Sequence, residues 1–245
     1  MKVKIDQNKL PLVAIMGPTS SGKTALAIDM ALKFNGEIIC ADSRTIYKGM
    51  DIGTAKPTKK EQGQVKHHLL DLIEPGEKYT IYQFKNEVSK LVDEIRSRGK
   101  VPFLVGGSGL YLYTVLFDYD FQNKTRNKEL IDNCIAVGIE VDKEVLRKRI
   151  NERFQKMLEA GFIDEVEGLV EKYGADTLQL KRNLYGEAQR YINGEISRQE
   201  LIERAEIIDW QLAKKQKTWF TQKREKVTWL PLEQAKKYIS GLLSE

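Results

Sequence analysis

A chain of 245 residues is long enough to bury a full core, and 41% hydrophobic with 31% charged residues is the balance of a soluble protein. No apolar run reaches the length of a membrane span, and Met1-Lys2-Val3-Lys4-Ile5-Asp6 lacks the apolar core of a signal peptide, so a cytoplasmic protein without membrane contact is expected. Two cysteines, Cys40 and Cys134, sit in apolar runs and read as buried thiols, while His67 and His68 alone cannot build a histidine zinc site.

In chain order, Leu12 to Met16 reads as a buried strand, followed by Gly17-Pro18-Thr19-Ser20-Ser21-Gly22-Lys23-Thr24 and an apolar-faced helix from Thr24. Strand, glycine loop and helix form the setting in which backbone N–H groups cradle a phosphate at a helix N-terminus. Lys23 then supplies a charge to the outer phosphate, and Thr24 a hydroxyl for Mg²⁺. Glu37 to Ala41 is a second strand, with Asp42 just past its C-terminal end, the edge at which open α/β sheets bind ligands. That carboxylate is placed to act as a base or to help hold Mg²⁺, or else to cap a turn. Residues 43–57 carry Gly49, Gly53, Pro57 and three basic side chains, and read as a long functional loop.

His67 to Ile73 is expected as a third strand, and Thr80 with Gln83 as a capping box opening a helix to about Arg98. Val101 to Val105 is a fourth strand ending in Gly106-Gly107-Ser108-Gly109, where a nucleotide-hydrolysing machine would usually place an Asp. Ser108 opens a helix to about Leu116, and residues 118–130 are polar and poorly patterned. A fifth strand runs from Cys134 to Val141, then come helices from Asp142 to Ala160, from Phe162 to Tyr173, and to Ile192 after a basic loop at 181–185. Ser197 with Glu200 caps the longest helix, to about Thr221, and a strand at 227–230 and a helix at 232–243 close the chain. The net charge of +5 gathers near the end, where Lys214, Lys215, Lys217, Lys223, Arg224 and Lys226 face only Glu225. That crowding suits a polyanion partner and a solvated helix face equally well.

Several stretches together resemble the tRNA dimethylallyltransferases, the isopentenyl transferases of tRNA. They are the phosphate loop, Asp42-Ser43 with Ile46 to Pro57, His67 to Asp71, Val105 to Tyr111, Arg153 with Met157 and Gly161-Phe162, Gly194 to Ser197, and Leu212 to Gln216 with Thr218-Trp219. The resemblance implies one α/β domain over residues 1–245, a P-loop NTPase-like parallel sheet flanked by helices with a helical C-terminal extension from about 142. It implies transfer of a dimethylallyl group from its pyrophosphate to N6 of the adenosine adjacent to the anticodon. Lys23, Asp42 and Ser108 take catalytic roles by this resemblance, with Asp42 as the base. Gly17 to Thr24 holds the pyrophosphate with Mg²⁺ at Thr24. Asp42, Ser43, Arg44, Thr45, Ser108, Gln211, Lys214, Lys215 and Gln216 meet the tRNA anticodon stem-loop, and a monomer is expected.

Three departures stand out. Residues 118–133 replace a helical insertion with which the bacterial enzymes grip the anticodon stem-loop. Asp209-Trp210 stands where the family has Thr-Arg, so that Arg's task is either lost or moved, with Lys181 or Arg182 as the substitutes. Tyr185-Gly186 replaces a Gly-Tyr pair. The alternatives are prenyl transfer to a free adenine nucleotide, a small-molecule kinase, for which 118–133 offers only Arg126 as lid arginine, and an RNA-binding protein without catalysis.

Overall fold

The computed structural model describes residues 9–221 and 226–244; the N-terminal stretch read above, with Lys223, Arg224 and Glu225 of the basic segment, lies outside them. Among the described residues six strands, β1 (Leu12–Met16), β2 (Gly36–Cys40), β3 (His67–His68), β4 (Val101–Gly106), β5 (Cys134–Glu140) and β6 (Thr228–Pro231), form one sheet in the order β3-β2-β4-β1-β5-β6. Every pairing is parallel. Strands covered on both faces read as continuous apolar runs, which is why β1, β4 and β5 were legible without alternation.

Period two nevertheless divides the core. Leu12, Ala14 and Met16 face one side, with Phe84, Val88, Val92 and Ile95 of α3 (Ile81–Ser97) and the buried ring of Tyr111 on α4 (Gly109–Leu116). Val13 and Ile15 face the other, against Leu26, Ala27 and Met30 of α1 (Lys23–Lys33) and Ala235 and Ile239 of α9 (Leu232–Ser244). Full burial of a side chain such as Phe84 or Ile15 contributes roughly 1.5–3 kcal/mol. A third cluster joins α5 (Lys143–Glu159), α6 (Phe162–Tyr173), α7 (Asn183–Ile192) and α8 (Arg198–Thr221) around Phe154, Phe162, Leu184 and Leu201, and it takes in Met50 from the loop after β2.

Two expected elements change. The strand expected over 67–73 pairs with β2 only at His67 and His68, because Leu69 and Asp71 adopt positive φ and turn the chain out of the ladder, and Ile73 instead bridges to Tyr47. A short helix, α2 (Lys59–Gln64), was missed; Thr58 and Glu61 form a full capping box at its start, but it buries no residue and so leaves no apolar stripe. The boxes at Thr80/Gln83 and Ser197/Glu200 form as expected.

Candidate active site

The C-terminal ends of β1, β2 and β4 lie side by side and carry the three loops that build the site. After β1, Ser20 at φ 60° and Gly22 at φ 89° bend the chain over the start of α1, whose N-cap position, Gly22, brings no side-chain cap. The first N–H groups of α1 therefore face the loop as a site for an anion. Lys23 folds back to donate to the Pro18 carbonyl at 3.2 Å. Burial pulls its ammonium down to about 8, against the upward pull of Asp42 and with a further push from Arg153.

After β2, Asp42 accepts the Arg44 N–H at 2.9 Å, which turns the chain and places the carboxylate over the sheet edge. After β4, the Ser108 hydroxyl accepts the Ser43 N–H at 3.1 Å, tying the second and third loops together. The cavity between them, about 310 Å³, is lined by Lys23, Thr24, Asp42, Ser43, Arg44, Thr45 and Ser108 among the expected residues. Ala27, Ile38, Cys40, Ala55, Pro57 and Val105 add apolar surface to its lining. Burial also pushes the Cys40 thiol up to about 12, so it stays neutral there. Four cavity-lining residues hold a buried polar atom with no hydrogen-bond partner: Ser20 Oγ, Thr45 Oγ1, His67 Nε2 and Arg153 Nε. Such atoms are few in folded proteins, and four of them line this one cavity.

The basic helix divides its residues. Gln211, Lys214 and Lys215 stand on an exposed strip of α8 beside Thr218 and Trp219, outside the cavity. Gln216 turns inward: its Oε1 accepts the Thr19 N–H at 2.8 Å and its Nε2 donates to the Gly107 carbonyl at 3.0 Å. It is a strut between the phosphate loop and the loop after β4. A Cβ at Gly107 would stand 2.5 Å from that Nε2, so glycine is what admits the strut.

Neither Lys181 nor Arg182 lines this cavity. Lys181 pairs with Asp176 at 2.7 Å, and Arg182 lines a smaller hollow with Arg44 and Tyr47. Trp210 packs on the cluster of Leu146, Ile150 and Ala213, under the Arg147 guanidinium. Arg153 of α5 does line the cavity, with Lys23 and Arg44; it donates to Thr19 Oγ1 and stands 3.7 Å from buried Asp209. Burial pushes the Asp209 carboxyl up while Arg153 holds it down. In the sequence Arg153 stands out only as a matching letter, since nothing local ties α5 to the phosphate loop.

The model of the family described as IPP transferase matches residues 45–133 and 119–224. The chain belongs to the IPP transferase family. A tRNA dimethylallyltransferase of Bacillus velezensis is 33% identical over 301 aligned positions, covering 94% of this chain and 96% of that protein. The aligned length exceeds the 245 residues of this chain, so that relative carries positions which this member of the family lacks. Two solved structures are similar throughout. The full-length tRNA isopentenylpyrophosphate transferase of Bacillus halodurans matches with TM-score 0.84 and 29% identity over 96% of this chain and 97% of its own. A tRNA delta(2)-isopentenylpyrophosphate transferase of Staphylococcus epidermidis matches with TM-score 0.84 and 31% identity over 96% and 99%.

Proposed function

We propose that this member of the family transfers a dimethylallyl group from dimethylallyl pyrophosphate to N6 of the adenosine adjacent to the anticodon in tRNA, releasing pyrophosphate. The observation that carries the reading is the mixed lining of the cavity: Lys23 and Thr24 at the N-terminus of α1, with Arg153 of α5, supply charge and a hydroxyl, and Ala27, Ile38, Cys40 and Val105 supply apolar surface. A pyrophosphate bearing a short branched hydrocarbon matches both kinds of lining. The allylic C–O bond breaks, the electron pair leaves with pyrophosphate, a C–N bond forms, and the N6 proton passes to Asp42. Lys23, Arg153 and the N–H groups of α1 stabilise the charge that grows on the leaving group, where preorganised donors count most. Ser108, which accepts the N–H of Ser43 next to Asp42 in the chain, lines the same cavity, and this supports a role for it near the reacting centre.

The residues present fit Mg²⁺. Thr24 offers one hydroxyl and Asp42 a carboxylate at the cavity, and no cluster of three or more metal-ligating side chains occurs among the described residues. Most ligands would then be pyrophosphate oxygens and water, as Mg²⁺ prefers, and when bound it neutralises charge on the leaving group.

The RNA approaches over the strip of Gln211, Lys214 and Lys215 and the loop Ser43-Arg44-Thr45, and the target base leaves its stack to enter the cavity. Residues 118–133, the shortened counterpart of the family's helical insertion, fold back on the protein: Asp120 pairs with Thr125 in a tight turn, and Arg126 stacks over Tyr113 at 4.6 Å. The grip on RNA thereby shifts to α8. No helix among the described residues is long and apolar enough to cross a membrane. A cytoplasmic, monomeric enzyme acting on tRNA completes the reading. Replacing Asp42 with Ala tests it: turnover falls by orders of magnitude while donor binding holds, and turnover within a few-fold of wild type removes Asp42 as base.

A further inference from the structure

The loop after β2 returns across the cavity as a wall, Thr54, Ala55 and Pro57 all lining it. Its outer side is held from α6. One carboxylate oxygen of Glu165 accepts the N–H groups of Asp51 at 3.0 Å and Ile52 at 2.6 Å, and the other accepts the Gly53 N–H at 3.1 Å. The second oxygen also accepts the Tyr185 hydroxyl, on α7, at 2.7 Å. Three consecutive backbone N–H groups converging on one anion form a nest, here filled by a side chain more than a hundred residues away in sequence. The fit is close: a Cβ at Gly53 would stand 2.4 Å from the Phe162 ring and 2.6 Å from Tyr185, so only glycine lets the nest reach Glu165.

The opposite side of the same loop is pinned by Lys56, whose buried ammonium donates to Asp51, Asp71 and the Tyr47 carbonyl. The segment before it, Thr45 to Lys48, is held by its own backbone bonds to residues 71–73 as well as by that bond from Lys56 to the Tyr47 carbonyl, and none of these involves Glu165. Loosening the Glu165 end would therefore move the wall and leave the Asp42 loop and the phosphate loop in place.

We infer that Glu165 is a positioning residue, which sets the wall against which the organic part of the pyrophosphate donor packs. This rests on the cavity being the donor site. Glu165→Gln places an amide NH₂ against the loop's N–H groups, whereas Glu165→Asp keeps the charge on a shorter arm. Calorimetric binding of dimethylallyl pyrophosphate and of inorganic pyrophosphate, beside amide hydrogen exchange over 50–57, separates the possibilities. Losing the charged acceptor weakens dimethylallyl pyrophosphate about tenfold in Glu165→Gln. Inorganic pyrophosphate, held by the phosphate loop and Arg153, changes less than about twofold, while Glu165→Asp and Tyr185→Phe fall between. Donor KM rises in step, whereas a variant that is merely less folded loses kcat at constant KM. Exchange at 51–53 quickens in Glu165→Gln. Equal weakening of both ligands, or unchanged donor affinity with only a lower Tm, overturns the inference. Should wild type bind no dimethylallyl pyrophosphate, the donor assignment is what fails, and the role drawn for Glu165 falls with it whatever exchange shows of the clamp.

Discussion

The chemistry of the site turns on how far Lys23 is drained of its charge. With its ammonium at about 8 rather than 10.5, the residue is only partly protonated just above neutrality. A group whose pKa lies below its unfolded value is charged in full only below that lowered value, so donor affinity is greatest below pH 8 and weakens as pH rises through it. Titrating the Kd of dimethylallyl pyrophosphate from about pH 6.5 to about pH 9.5 checks this, and a flat profile above neutrality would mean that Lys23 keeps its charge in place. Gln216 makes a second residue-scale prediction. Gln216→Ala removes the acceptor of the Thr19 N–H and the donor to Gly107, each bond worth about 1 kcal/mol net, so kcat/KM for the donor drops roughly five- to thirtyfold. Lys214→Ala, two positions away on the exposed strip, leaves donor binding unchanged.

Among the elements, α8 carries two tasks on two faces. Its inward residues brace the site, and its exposed Lys214 and Lys215 face solvent beside Thr218 and Trp219. Replacing both lysines with Ala weakens tRNA binding and lowers the slope of log Kd against log salt by about 0.7–0.9 for each phosphate that is no longer neutralised. An unchanged slope would mean that the strip only meets water. The same helix shows where sequence reading stops. That Lys23, Thr24, Asp42 and Ser108 meet at one cavity was legible from a few neighbouring letters, a glycine loop, strand ends and a helix start, while the tasks given to Asp42 as base and to Ser108 come from the resemblance. The strut from Gln216 to Thr19 spans 197 residues and the bond from Arg153 to Thr19 spans 134, so no local pattern marks them. A glutamine within a basic helix looks the same whether it faces RNA or a backbone amide. Strands β1, β4 and β5 were legible for the opposite reason, since burial on both faces leaves nothing but apolar residues. Helix α2 was not, because it buries nothing.

At the scale of the molecule, the sheet's far edge has its own electrostatic anchor. Glu37 on β2 is buried and receives Arg98 at 2.8 Å, His68 at 2.7 Å and Lys100 at 3.1 Å, joining β2, β3 and the end of α3. Burial alone would raise its carboxyl, but the hydrogen bonds from Arg98, His68 and Lys100 outweigh it and bring the pKa from 4.5 down to about 2. A depressed carboxylate contributes its stability in full above the unfolded value and loses it as pH falls from 4.5 towards 2. The difference is roughly 3 kcal/mol. Glu37→Gln removes that slope, and urea unfolding at about pH 6 and about pH 3 checks it: wild type loses stability between the two, and the variant loses less.

The central claim is the identity of the transferred group and its acceptor. Dimethylallyl pyrophosphate labelled in the prenyl carbon, offered with unmodified tRNA in one reaction and AMP in another, tests it most directly. Label in tRNA and not in AMP, at the adenosine beside the anticodon, is the expected result. Label in AMP alone would mean an acceptor of the free-nucleotide kind, and label in neither would contradict the prenyl-transfer reading.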